Sequence, residues 1–181
     1  MIDVNDYPIL KSKVCPLREI SETTHQGKGY MSQSSLKAVN FDKVKNEFIK
    51  DWGLEGKPKP RSNDALYVCA VEGKIFFVEF KSGESTNTLP LARQKIYDSL
   101  LILTEIIEKG ISKIRTNLNY ILVINDSMVT LGNIVSGKAG KDLKLGKLRD
   151  NFEGLYFNKV HIISKSLFEE NFVNKWEAQS Q

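Results

Sequence analysis

The chain is poor in the residues that would mark several common chemistries. It holds two cysteines and two histidines in 181 residues, and it has no long uninterrupted apolar run. Cys15 and Cys69 are too few for a disulfide framework, and Cys69 lies in an apolar stretch, so both thiols are expected to be reduced. His25 falls in a polar loop and His161 in an apolar strand; neither has a partner at ligand spacing, and both read as structural or surface residues. The longest apolar stretch, Ser99 to Ile107, is interrupted by Thr104 and Glu105. It falls short of the roughly 20 apolar residues that cross a bilayer. The N-terminus, Met1 to Asp6, carries acid and no apolar segment, so a secretory signal is not expected and a cytoplasmic protein is. Charge is not strongly one-sided: 26 Lys and Arg against 22 Asp and Glu leave +4, which permits a polyanionic partner without requiring one.

What is present is ordinary for one folded domain, with 41% apolar and 27% charged residues and no internal repeat or linker. Residues 1–38 read as irregular or as an N-terminal extension, with a Gln26-Gly27-Lys28-Gly29 loop that lacks the pattern of a phosphate-binding loop. Phe41, Val44, Phe48, Ile49 and Trp52 recur at helical spacing, which predicts a helix from Asn40 to Trp52 ended by Gly53. The run Gly56 to Arg61, with Pro58 and Pro60, predicts an extended connection. Two strands, Ala65–Val71 and Lys74–Lys81, are expected around a Glu72-Gly73 turn. A long helix follows from Leu89 to Lys109 behind a Thr88 cap, then a doubly buried strand at Tyr120–Asn125. Ser127 to Lys147 reads as loops, with Lys138–Lys147 as solvated surface. Gly154–Ser164 reads as a strand, and a capping box at Ser166 opens a helix reaching Trp176. The fold class is therefore α/β: a mixed central β-sheet flanked by helices, with residues 39–125 as its core and 126–181 as a C-terminal strand and helix.

The chemistry concentrates in Asp64 and in Glu79-Phe80-Lys81. Residues two apart in a strand share a face, so Glu79 and Lys81 lie together. A two-residue turn at Glu72-Gly73 places Asp64 opposite Lys81 and Leu66 opposite Glu79, which gathers the three charges at the open end of the hairpin. The rest of that face, Leu66, Val68, Ile75 and Phe77, is apolar. Carboxylates at the end of such a face are costly unless paired or holding a cation. Asp64 and Glu79 with the Phe80 carbonyl are oxygen ligands suited to Mg²⁺ or Mn²⁺, and Lys81 is placed to orient water or stabilise developing charge. The plain alternative is a cross-strand ion pair on a solvated face, against which stands the apolar setting of Ile75-Phe76-Phe77-Val78.

This constellation resembles the PD-(D/E)xK nuclease superfamily over about residues 39 to 125, with Asn63 where proline often stands. The resemblance implies a restriction-endonuclease-like core and metal-dependent hydrolysis of phosphodiester bonds, with DNA favoured over RNA. It implies a homodimer if both strands of a duplex are cut. It further implies an acid on the helix before the hairpin, best matched by Glu47, whose plain reading is a surface pair with Lys43 or Lys50. A polar residue on the following helix is also implied. Gln94 is preferred over Lys95 there, because a neutral group does not compete with Lys81. Two alternatives stay open. One is a ribonuclease of the same fold, of toxin or cap-snatching type, in which His25 would imitate an extra ligand. The other is an inactive nucleic-acid-binding or interaction module.

Overall fold

A computed structural model describes residues 2–23, 29–82, 88–126 and 142–180. Six strands form one sheet in the order β1-β4-β5-β6-β7-β8, comprising β1 (Val14–Pro16), β4 (Lys37–Asn40), β5 (Ala65–Cys69), β6 (Lys74–Lys81), β7 (Leu118–Ile124) and β8 (Lys159–Ser164). The first four are antiparallel to their neighbours, and β6, β7 and β8 run parallel. A separate ribbon pairs β2 (Glu22–Thr23) with β3 (Gly29–Tyr30).

Helices cover both faces. On one face lie α1 (Pro8–Lys11), α3 (Phe41–Asp51), α4 (Thr88–Ile107), α5 (Ile111–Ile114) and α6 (Asp142–Phe152), which with the sheet bury Phe41, Phe77, Ile96, Tyr120 and Phe152. On the other lie α2 (Leu17–Ile20), α7 (Lys165–Phe168) and α8 (Asn174–Gln179), closing over Tyr67, Phe76, Val78 and Trp176. A fully buried phenylalanine contributes roughly 1.5–3 kcal/mol, so edge-packed pairs such as Phe41–Phe77, 5.0 Å between centroids, fix how α3 sits on the hairpin. Every residue of β7 is buried, as a parallel strand covered on both faces should be. Among the described residues no helix is long and apolar enough to cross a membrane.

Several expectations are revised. The described part of residues 1–38 is built into the domain: β1 and β4 widen the sheet, and strands of three and four residues are too short to show alternation in sequence. The segment 142–147 is helix, not loop; Leu148 and Phe152 form its buried i,i+4 pair, and Gly146 weakens the sequence signal. The rest of the expected loop, 127–141, lies outside the described residues, as do His25 and the Gln26–Lys28 loop. The last strand starts at Lys159, because Gly154 at φ 78° closes a turn onto the Phe157 carbonyl at 2.7 Å. The final helix is capped by Ser164 rather than Ser166, whose hydroxyl instead donates to Asp126 at 2.8 Å. A π-helical turn, Glu169–Val173, joins α7 to α8.

The hairpin carries the correction that matters most. Its last pair is Cys69 with Lys74, so the loop holds four residues, Ala70 to Gly73, and not two. A two-residue type I′ turn needs positive φ at both positions. Gly73 has φ 63°, but Glu72 is not among the positive-φ residues, and the loop closes with the Gly73 N–H on the Ala70 carbonyl at 3.3 Å. The register therefore moves by two, with Ala65 opposite Val78, so the next position places Asp64 opposite Glu79 rather than Lys81. A shift of two keeps every side chain on its face.

Candidate active site

The two carboxylates meet where the sheet changes from antiparallel to parallel. Glu79 lies near the carboxyl end of β6, and Asp64 immediately precedes β5. Asp64 is held from several sides. Its Oδ2 accepts the Phe80 N–H at 2.7 Å, and its carbonyl accepts the Phe41 N–H at the start of α3 at 3.0 Å. The approach to it is pinned by the Asn63 N–H on Ser99 Oγ at 2.8 Å. Proline has no N–H to give there, so a residue other than proline at 63 lets the backbone dock α4.

The group that joins the carboxylates is Lys95. Its Nζ lies 3.1 Å from Asp64 Oδ1 and 2.7 and 2.8 Å from the two Glu79 oxygens. The side chains are 23%, 17% and 8% exposed, so this is a largely desolvated triad and not a surface pair. One ammonium between two carboxylates leaves a net negative charge. Burial and then the charge of Asp64 push the Glu79 carboxyl well above the usual carboxylate range. Burial also raises Asp64, with the Lys95 charge and the Phe80 N–H opposing it. Burial pulls the Lys95 ammonium down, but Glu79 and Asp64 together overcome this and raise it, so Lys95 stays charged.

Of the expected site residues, the structure brings Asp64, Glu79 and the Phe80 backbone together. Lys81 shares the Glu79 face one step further along β6, half-buried. Gln94 is exposed on α4 and makes none of the triad's hydrogen bonds among the described residues. Glu47 pairs with Lys13 at 3.4 Å, a partner other than Lys43 or Lys50, and it does not join Asp64 and Glu79. Among the described residues no set of three or more acidic, cysteine or histidine side chains is placed to hold a metal. His161 packs edge-on against Phe172 and its pKa is lowered by burial, in keeping with a structural residue.

Two further residues belong to the surroundings. Asp42, in the first turn of α3, adds its negative field to both carboxylates and accepts from Ser62 at 2.5 Å and Lys45 at 3.0 Å. Tyr120 opposes Phe77 on the same sheet face, and its fully buried hydroxyl has no partner among the described residues. Burial, then the charges of Glu79 and Asp64, raises its pKa well above normal. Removing an unsatisfied buried hydroxyl stabilises by about 1 kcal/mol. Tyr120→Phe is therefore expected to raise the urea midpoint; a lower midpoint would mean that the hydroxyl makes a needed hydrogen bond.

The donor set fits a hard cation. Asp64 Oδ1 and both Glu79 oxygens converge on the one point that Lys95 Nζ occupies, and Mg²⁺ ordinarily needs only one or two protein carboxylates. No family model, no curated protein and no solved structure matches the chain.

Proposed function

We propose that this protein is a metal-dependent nuclease with a restriction-endonuclease-like core. The observation that carries the reading is the convergence of Asp64 and Glu79 on a single, largely desolvated cation position where β6 is antiparallel to β5 and parallel to β7. The hairpin β5–β6 followed by a helical crossover to parallel β7 is consistent with that core. DNA is the favoured substrate, and cutting both strands of a duplex would call for two copies of the chain.

Asp64, Glu79 and the Phe80 carbonyl would hold Mg²⁺ or Mn²⁺ after Lys95 moves off them. When bound, such an ion neutralises charge at the scissile phosphate and makes water a better nucleophile near neutral pH. Lys95, released from the carboxylates, would place its ammonium beside the phosphate and stabilise the negative charge that builds there. This gives Lys95 the role expected of Lys81 and Gln94. Lys81, nearer the rim, would contact a flanking phosphate.

The test is cleavage of labelled single- and double-stranded DNA and RNA by wild type, with Mn²⁺ and with EDTA, beside Glu79→Ala. Cutting that requires both the ion and Glu79 supports the reading and identifies the substrate. No cutting, together with no Mn²⁺ binding by calorimetry, rejects it in favour of a binding module.

Metal affinity should also depend on pH in a set direction. A proton on Glu79 competes with the ion, and that proton is held up to a pH above the ordinary value of 4.5. Mn²⁺ affinity should therefore rise with pH through the acidic range, by up to about tenfold per unit below the Glu79 pKa. Calorimetry between pH 5 and 8 measures this; a flat profile would mean that Glu79 is not a ligand.

A further inference from the structure

The connection from α3 to the hairpin carries cations and no acids between Lys57 and Asn63, in the order Lys57-Pro58-Lys59-Pro60-Arg61-Ser62-Asn63. Lys57, Lys59 and Arg61 are all exposed, and among the described residues none of them forms an ion pair. Three cations within five residues, with no acid among them, concentrate positive charge on a chain of only +4.

The segment is also held in place at both ends. Gly53, at φ 63°, ends α3, and the Leu54 N–H returns to the Ile49 carbonyl at 2.9 Å. At the far end the Arg61 N–H donates to Asp98 at 2.8 Å, Ser62 to Asp42 at 2.5 Å and the Asn63 N–H to Ser99 at 2.8 Å. Pro58 and Pro60 restrict the backbone between these anchors, which lowers the entropy lost when the cations bind a ligand. At its start Trp52 is 55% exposed, with its ring stacked on Phe48 at 5.0 Å. From Lys57 to Asp64 is seven residues, which can span at most about 25 Å. Arg61 lies within about 11 Å of Asp64 by the same limit.

We propose that residues 57–61 form an arm on which a nucleic-acid strand lies as it enters the site. Lys57, Lys59 and Arg61 contact phosphates, and Trp52 provides a stacking surface for a base at the outer end. The choice of nucleic acid as occupant rests on the nuclease reading, and the arm explains how a chain of low net charge concentrates positive charge beside its carboxylates. Proline spacing presents the cations with little ordering cost, and an exposed indole accepts any base by stacking.

Binding of fluorescent single- and double-stranded DNA and RNA oligomers, measured by anisotropy in EDTA across 50–300 mM salt, tests this. Each phosphate contact adds about 0.7–0.9 to the slope of log affinity against log salt. Lys57→Ala/Lys59→Ala/Arg61→Ala together should lower that slope by about 2–3 and weaken binding tenfold or more, and each single variant should remove about one unit. Trp52→Ala should weaken single-strand binding about tenfold without changing the slope. Hydrolysis with Mn²⁺ of bis(p-nitrophenyl) phosphate, which has no flanking phosphate for the arm to hold, should fall far less in the triple variant than oligomer binding does. An unchanged slope in the triple variant, or a wild type that binds no oligomer, overturns the arm whatever the small diester shows. Arm-dependent binding with no cleavage of any substrate keeps the arm and rejects the nuclease.

Discussion

Glu79→Ala should reduce Mn²⁺-dependent cleavage on the order of 10³-fold. The residue supplies two of the three oxygens that converge on the cation position, and Asp64 Oδ1 alone would leave a divalent ion with one carboxylate. Loss of transition-state charge stabilisation from such an ion is worth several kcal/mol, and about 4 kcal/mol corresponds to a thousandfold. Lys95→Ala should follow at about 10²-fold, as expected for one cationic group acting on developing charge. Lys81→Ala should stay within about tenfold, because Lys81 lies beyond Glu79 and makes no ion pair among the described residues. Initial rates on one oligonucleotide at saturating Mn²⁺ give the ranking. If Lys81→Ala proved the more damaging of the two lysine variants, the ammonium on β6 would be the working one, and Lys95 only a counter-ion of the resting site.

The hairpin and its acids were legible because strand parity is robust. The actual turn has four residues in place of two, yet a register moved by two leaves Asp64, Glu79 and Lys81 on one face. The helices α3 and α4 were legible from spacing, with Asn40 accepting the Lys43 N–H as a cap at 3.0 Å. Lys95 does carry a signal in the sequence. Ala92, Ile96, Ser99, Leu100, Ile102 and Leu103 form the buried stripe of α4, and Lys95 falls near its edge, between Ser99 and Ile102, whereas Gln94 falls about 80° beyond that edge. A charged residue at the apolar face of a helix needs a buried partner, and the acids at the open end of the facing hairpin are Asp64, just before β5, and Glu79. The sheet's outer strands were not legible, since β1 and β4 are defined by pairing with distant residues such as Val14 with Val39. Asp42 and Tyr120 reach the site through tertiary packing alone, so sequence spacing says nothing of them.

Lys95→Ala should also destabilise the fold, by about 3 kcal/mol at pH 8 and by much less at pH 5. Removing one partner of a buried ion pair costs about 3–5 kcal/mol, because the remaining charge is left in a poorly solvated place. Here two carboxylates remain, and their only escape is for Glu79 to take a proton. Glu79 already has a pKa raised above its unfolded value, and loss of the ammonium removes the contributions that hold it down. A carboxyl raised in the folded state adds stability below its unfolded pKa, near 4.5, and that stability disappears as pH climbs through the folded pKa. The variant should therefore lose stability from the acidic range toward neutrality. In wild type the raised Lys95 keeps its contribution up to about 10.5 and loses it only above that, so the gap between the proteins is widest from neutral to mildly alkaline pH. Urea denaturation at pH 5 and pH 8 measures both ends. Adding Glu79→Gln to Lys95→Ala should recover most of the loss at pH 8, since the double variant buries one charge where the single variant buries two. Saturating Mn²⁺ should recover it in the single variant instead, by about 2.7 kcal/mol at a hundred times the dissociation constant. An equal loss at both pH values would assign the effect to the side chain's packing, and would remove the reason for treating its ammonium as the stand-in for a metal ion.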